Sequence, residues 1–174
     1  MKCALVIPAW SPAEIFSSRT AASQINYWQP LGTLYVAASL RQAGHDVRFF
    51  NGAFRGREEI LRELALFSPR VVGLYATAFG WHKARQAAAE VRGILPGAFI
   101  AVGGPYPAYA GAQCLRESPE LDAVVTGEGE DTMVELAGRL GSGAALDGLA
   151  GIAFRRGGEI VENPRRPLIL DLDR

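Results

Sequence analysis

Five short, largely apolar runs bounded by breakers constrain this chain more than any other feature: Cys3 to Ile7, Val47 to Phe50, Val71 to Tyr75, Phe99 to Val102 and Ala123 to Val125. None alternates in the way of a strand wetted on one face, and continuous apolar strands are those buried on both faces of a parallel sheet. Helix-length segments separate them, at Leu31 to Ala43, Arg57 to Phe67, Trp81 to Leu95, Ala108 to Arg116 and Asp131 to Leu140. Strand and helix thus alternate five times, which implies parallel strands joined by right-handed crossovers. The expected fold is a flavodoxin-like, Rossmann-type α/β unit, a doubly wound parallel five-stranded sheet of order 2-1-3-4-5. Past the fifth helix, Ile152 to Arg155 and Glu159 to Val161 flank Gly157-Gly158 and read as a C-terminal β-ribbon. The expected division is therefore residues 1–147 for the α/β unit and 148–174 for the ribbon and a linker. Leu168, Ile169, Leu170 and Leu172 make the last residues too apolar for a solvated tail, so they are expected to pack on a neighbour.

Composition narrows the function. The 174 residues carry 18 Lys and Arg against 18 Asp and Glu, a formal charge of zero. Such a balance argues against a phosphate-neutralising surface, hence against a nucleic-acid partner. The N-terminus enters its first apolar run at once, too short for a signal segment or a membrane span, so a cytoplasmic protein without a membrane partner is expected. Two cysteines, Cys3 and Cys114, can form neither a CxxC zinc site nor a three-cysteine cluster motif.

In doubly wound sheets ligands bind outside the carboxyl ends of the strands, so four loops hold the information. The first, from about Ala9 to Pro30, is far longer than the roughly 2 to 6 residues of an ordinary βα connection. Its Trp10, Phe16, Tyr27 and Trp28 suit either a ligand-covering loop or one that packs on another domain. It holds no GxGxxG and no Walker motif, and no aspartates of a phosphoacceptor receiver. Ser17-Ser18-Arg19-Thr20 could meet a flavin phosphate, but without the glycine pattern that accompanies such sites. After the third strand come Tyr75, Ala76, Thr77 and Ala78, where Thr77 either faces a ligand or caps the next helix. The fourth ends in Val102-Gly103-Gly104-Pro105, either a tight turn or a place where a ligand meets bare backbone. The fifth leads to Gly127-Glu128-Gly129; Glu130 and Asp131 complement a helix start, which does not account for Glu128 between two glycines, so Glu128 either faces a ligand or serves the fold. His45, after Gly44, fits a helix C-terminus, and His82 opens the third helix on the ligand side.

Gln29-Pro30-Leu31-Gly32 with Leu34, Ala37-Ala38 and Leu40, then Gly44-His45-Asp46-Val47, resembles the opening of the cobalamin (vitamin B12)-binding domain at the N-terminus of radical S-adenosylmethionine enzymes. Pro69 to Leu74, Val102 to Pro105, Pro119 to Asp122, Thr126 to Thr132 and Gly151-Ile152-Ala153-Phe154-Arg155 through Asn163-Pro164-Arg165-Arg166-Pro167 continue that likeness in order across essentially the whole chain. The resemblance implies cobalamin bound base-off, its benzimidazole tail inserted between the third and fourth strands. Its implied contacts are Tyr75, Ala76, Thr77, Ala78, Val102, Gly103, Gly104, Pro105, Gly127, Glu128 and Gly129, with no catalytic residue and no protein metal ligand. Tyr75 stands where related cobalamin domains often have serine. The D-x-H-x-x-G motif of methionine-synthase-like relatives is absent, since Pro8 to Leu31 holds no His and no Asp.

The resemblance further implies that residues 1–147 are the cofactor module and 148–174 lead toward a catalytic radical SAM barrel, in cis or trans, of methyltransferase or cyclase type. The [4Fe-4S] cluster and S-adenosylmethionine would belong to that barrel. A stand-alone domain for a flavin or tetrapyrrole, or a cofactor-free interaction domain, is the alternative.

Overall fold

The computed structural model describes residues 1–14, 17, 19 and 30–169. Phe16, Ser18, Thr20, Tyr27, Trp28, Gln29, Leu170 and Leu172, all singled out above, lie outside the described residues. One mixed sheet carries seven strands: β1 (Lys2–Ile7), β2 (Asp46–Asn51), β3 (Val71–Tyr75), β4 (Phe99–Gly103), β5 (Ala123–Val125), β6 (Ile152–Arg156) and β7 (Glu159–Glu162). Their order is β2-β1-β3-β4-β5-β6-β7. The first five are parallel in the order 2-1-3-4-5, while β6 runs antiparallel to β5 and β7 antiparallel to β6. The ribbon read as an appendage is hydrogen-bonded to the sheet edge, where Ala123, Val124 and Val125 pair with Phe154, Ala153 and Ile152.

Among the described residues these α-helices flank the sheet: α1 (Leu31–Gln42), α2 (Arg57–Phe67), α3 (Trp81–Ile94), α4 (Pro105–Ala110), α5 (Gln113–Glu117) and α6 (Glu130–Ser142). The single helix expected over Ala108 to Arg116 is two short ones. Gly111 adopts φ +53, outside the helical basin, and its N–H closes α4 on the Pro107 carbonyl at 2.8 Å.

Because side chains alternate along a strand, each strand serves two cores. Ala4, Val6, Val72, Leu74, Ile100, Val102 and Val124 face α2, α3 and α5, packing with Ile60, Leu64, Ala88, Val91 and Leu115. Cys3, Leu5, Val71, Ala101, Ala123 and Val125 face α1 and α6, packing with Ala37, Leu40, Met133 and Leu136. Burying each Leu or Ile side chain contributes about 1.5–3 kcal/mol, so apolar continuity on both faces is what holds the sheet between its helix layers. No helix among the described residues is long and apolar enough to cross a membrane.

Candidate functional site

The face of the sheet under α1 and α6 has a gap in it. At adjacent positions β3 and β4 present Gly73, Ala101 and Gly103, with Gly73 in register with Ala101 and Tyr75 with Gly103. A strand needs apolar bulk at such positions to meet its helices; Leu5 Cδ2 and Met133 Cε fill the space over Gly73, where a Cβ would stand 2.7 and 3.5 Å from them, and Ala101 is buried, whereas the space over Gly103 stays open. Helices α1 and α6 pack against each other above it. Leu5, Val36, Val125 and Met133 form walls, and a crevice of about 390 Å³ remains. That lies within the roughly 300–1,000 Å³ of small-molecule sites.

The end of β3 and the loops after β4 and β5 meet at this crevice. Tyr75, Val102, Gly103, Gly104, Pro105, Gly127, Glu128 and Gly129 line it. Ala76 is buried beneath the loop, Thr77 is half-buried and Ala78 is exposed, and none of the three lines the crevice. The Thr77 hydroxyl oxygen accepts the Gly80 N–H at 3.1 Å, which fixes the turn into α3 and realises the capping role of the two open to it. Sequence reasoning missed the floor positions Gly73 and Ala101, the α1 start at Pro30 to Thr33, and Val36 and Met133. The signal for the floor was present: small residues at alternate positions of one strand and at the matching position of its neighbour.

The paired glycines do different work. Gly104 has φ +112, and a Cβ there would stand 2.6 Å from the Ala76 carbonyl oxygen and 3.0 Å from Tyr75 Cδ2 and Cε2. Its missing side chain makes room for the protein itself. A Cβ on Gly103 would meet only Val125 Cβ at 3.6 Å, an ordinary contact, so its bareness serves the crevice rather than the fold.

Glu128 also has a partner, since its Oε2 accepts the N–H of Ile169 at 2.6 Å and ties the C-terminal segment to the crevice rim. Burial raises the Tyr75 phenol above its ordinary range. His45 lies at the opposite edge of the sheet, where Nδ1 accepts from the Met1 amino group at 3.2 Å; burial, then the N-terminal charge, lowers its pKa. His82 is exposed on α3 and does not line the crevice.

A second hollow of about 510 Å³ opens beside the ends of β1 and β2, against α2 and α3. It is larger but neutralises itself: Lys83 pairs with Glu14 (2.9 Å), Arg55 with Glu63 (2.7 Å) and Arg57 with Glu90 (2.7 Å). The largely apolar lining and the open space at Gly103 make the crevice the better ligand site.

Comparison with known proteins gives the fold and its crevice a family. The chain is 33% identical, over 99% of its length, to an uncharacterized methyltransferase of Pyrococcus horikoshii, covering 37% of that protein. It is 31% identical over 93% of its length to the anaerobic magnesium-protoporphyrin IX monomethyl ester cyclase of Synechocystis, covering 33%. The chain therefore spans about a third of the length of these curated relatives. Among solved structures, the cobalamin-dependent S-adenosylmethionine radical enzyme OxsB with aqua-cobalamin and S-adenosylmethionine bound superposes with a TM-score of 0.77 at 20% identity, over 96% of this chain and 22% of that one. The radical S-adenosylmethionine methyltransferase TsrM of Kitasatospora setae, with cobalamin and a [4Fe-4S] cluster bound, gives 0.75 at 19% identity, over 99% of this chain and 30% of that one. These two likenesses bear on the fold. The family model for the B12 binding domain matches residues 20–137, which takes in the crevice floor, the paired glycines and the Glu128 loop, and the chain belongs to that family.

Proposed function

We propose that this chain holds cobalamin base-off, with the nucleotide tail laid in the crevice on Gly73, Ala101 and Gly103, as the cofactor module of a larger radical SAM enzyme of methyltransferase or cyclase type. The observation that carries the reading is the crevice of about 390 Å³ over small residues at the ends of β3 and β4, where a side chain on Gly103 would meet only Val125. Tyr75 and Pro105 would flank the tail, the Val102 backbone would lie beneath it, Gly127, Glu128 and Gly129 would border its entrance, and Ala76, Thr77 and Ala78 would support the loop from behind. When bound, cobalamin supplies a cobalt centre able to carry and give up a methyl group. The chain's part is to bind the tail, exclude water from the floor and orient the ring toward a partner.

That partner would be a radical SAM barrel, in cis or trans, in the cytoplasm, reached through residues 148–174. The two cysteines of this chain support placing the cluster and S-adenosylmethionine on that partner. Cys3 and Cys114 are buried in opposite cores, and burial raises both thiols to about 11, away from the thiolate form that ligates iron.

The test is reconstitution. The purified chain, mixed with hydroxocobalamin or with flavin mononucleotide and then desalted, is expected to retain the corrinoid absorbance stoichiometrically and no flavin. Retention of flavin without cobalamin would overturn the reading.

A further inference from the structure

Tyr75 is the one aromatic side chain lining the crevice among the described residues. It sits at the end of β3 on the same sheet face as Gly73, beside Gly103 in register, and the Cδ2–Cε2 edge of its ring passes over Gly104. The glycine at 104 is demanded by that ring and by the Ala76 carbonyl, so the backbone of the β4 loop is built around the position of Tyr75. The bare Gly104 thus leaves room for the ring at the crevice. Around it the crevice offers flat peptide below and the flexible, polarizable Met133 to one side. Those surfaces suit a planar heteroaromatic.

We propose that Tyr75 is a specificity-determining residue that recognises the planar base at the end of the cofactor's tail, by ring-to-ring contact against the Gly103 floor. The proposal rests on the function proposed above and assigns the choice among corrinoids to one side chain. A tyrosine side chain has only two torsions to order, so its ring gives an aromatic guest contact at little ordering cost and gives no advantage to a corrinoid that lacks the base.

The experiment compares two probes on the full chain: hydroxocobalamin, and cobinamide, which has the same corrin ring without the nucleotide. Dissociation constants are read by absorbance titration. With Tyr75→Leu, cobalamin binding is expected to weaken about tenfold, the scale of one lost aromatic pair with its buried area, while cobinamide binding stays within about twofold. Tyr75→Phe, which keeps the ring, is expected to hold both constants within about twofold of the parent. Equal weakening of the two corrinoids by Tyr75→Leu, or tighter cobalamin binding in that variant, would overturn the proposal and leave the proposed function standing. Failure of the parent to bind either corrinoid would overturn both. Should Tyr75→Leu fail to fold by circular dichroism, Tyr75→Ala removes the ring without adding branched bulk, and an unchanged cobalamin-to-cobinamide ratio there would overturn the proposal equally.

Discussion

Gly103 and Gly104 are adjacent and chemically identical, yet opposite results are expected from substituting them. Gly104→Ala forces a Cβ into left-handed backbone against a carbonyl oxygen 2.6 Å away. It should destabilise folding by about 2 kcal/mol or more, measured by chemical denaturation, whether or not ligand is present. Gly103→Val puts a β-branched side chain in a strand where its Cβ meets only Val125 Cβ at 3.6 Å. Stability should change by less than about 1 kcal/mol, while cobalamin retention on desalting should be lost because the valine methyls fill the floor. Gly103→Val that binds as the parent does would show that the tail lies elsewhere. Thr77→Ala removes the hydroxyl that accepts the Gly80 N–H. It should cost about 0.5–1.5 kcal/mol of stability and leave binding within about twofold, as expected of a turn-forming residue. The pair Gly103-Gly104 was legible in the sequence as a site. The division of labour was not, since only the packed loop shows whose atoms occupy the space that a missing Cβ leaves.

Strands were the elements most legible, because a parallel strand buried on both faces leaves an uninterrupted apolar run whose ends coincide with turns. Helices were less so: Ala108 to Arg116 has helical composition, and only the φ of Gly111 divides it. The C-terminal segment was expected to pack through its apolar side chains, but Leu168 is exposed, and the segment is held by polar contacts that its sequence did not announce. Past β7 it runs along α6 toward the crevice. Asn163 Nδ2 donates to the carbonyls of Leu146 (2.7 Å) and Leu149 (3.0 Å), Arg166 Nε donates to Thr132 Oγ1 (2.9 Å), and Ile169 N–H reaches Glu128. Glu135 accepts from both Arg166 and Arg139, and the Arg166 hydrogen bond, more than any other influence, holds its carboxyl below the ordinary range. A depressed folded-state pKa contributes stability above the unfolded value of about 4.3, lost as pH falls through the folded value. Glu135→Gln should therefore lower the unfolding free energy at pH 7, and the difference from the parent should shrink as pH falls below the ordinary glutamate range. A difference constant from pH 7 to pH 3 would mean that the ion pair adds nothing to the docking of the segment.

At the scale of the molecule, the two edges of the sheet are finished in different ways. The edge where strands begin is closed by the chain's own polar groups. Arg92 donates to the Ala98 and Glu120 carbonyls (2.7 and 2.8 Å) and to Asp122 Oδ2 (2.6 Å), which also accepts the Ile100 N–H, while the Met1 amino group meets His45. The edge where strands end carries the crevice, the exposed rings of Phe79 and Tyr109, and the terminus of the segment docked on α6. Only two histidines exist to offer cobalt an axial nitrogen. His45 is engaged at the far edge, and His82 is exposed on α3 outside the crevice. If the tail occupies the crevice, its benzimidazole is also withdrawn, so cobalamin reduced to the Co(II) state on this chain should have no nitrogen on its lower face. Axial ligation is the protein's lever on such a cofactor, and a missing nitrogen favours lower coordination. Electron paramagnetic resonance measures this directly, because an axial nitrogen splits each cobalt line into three and oxygen does not. Unsplit lines are expected in the parent and in His82→Ala. Splitting that vanishes in His82→Ala would make His82 the ligand and require the helix start to turn toward the cobalt. Splitting that survives the substitution would mean that the benzimidazole never left the metal, and the floor of Gly73, Ala101 and Gly103 would then need another guest.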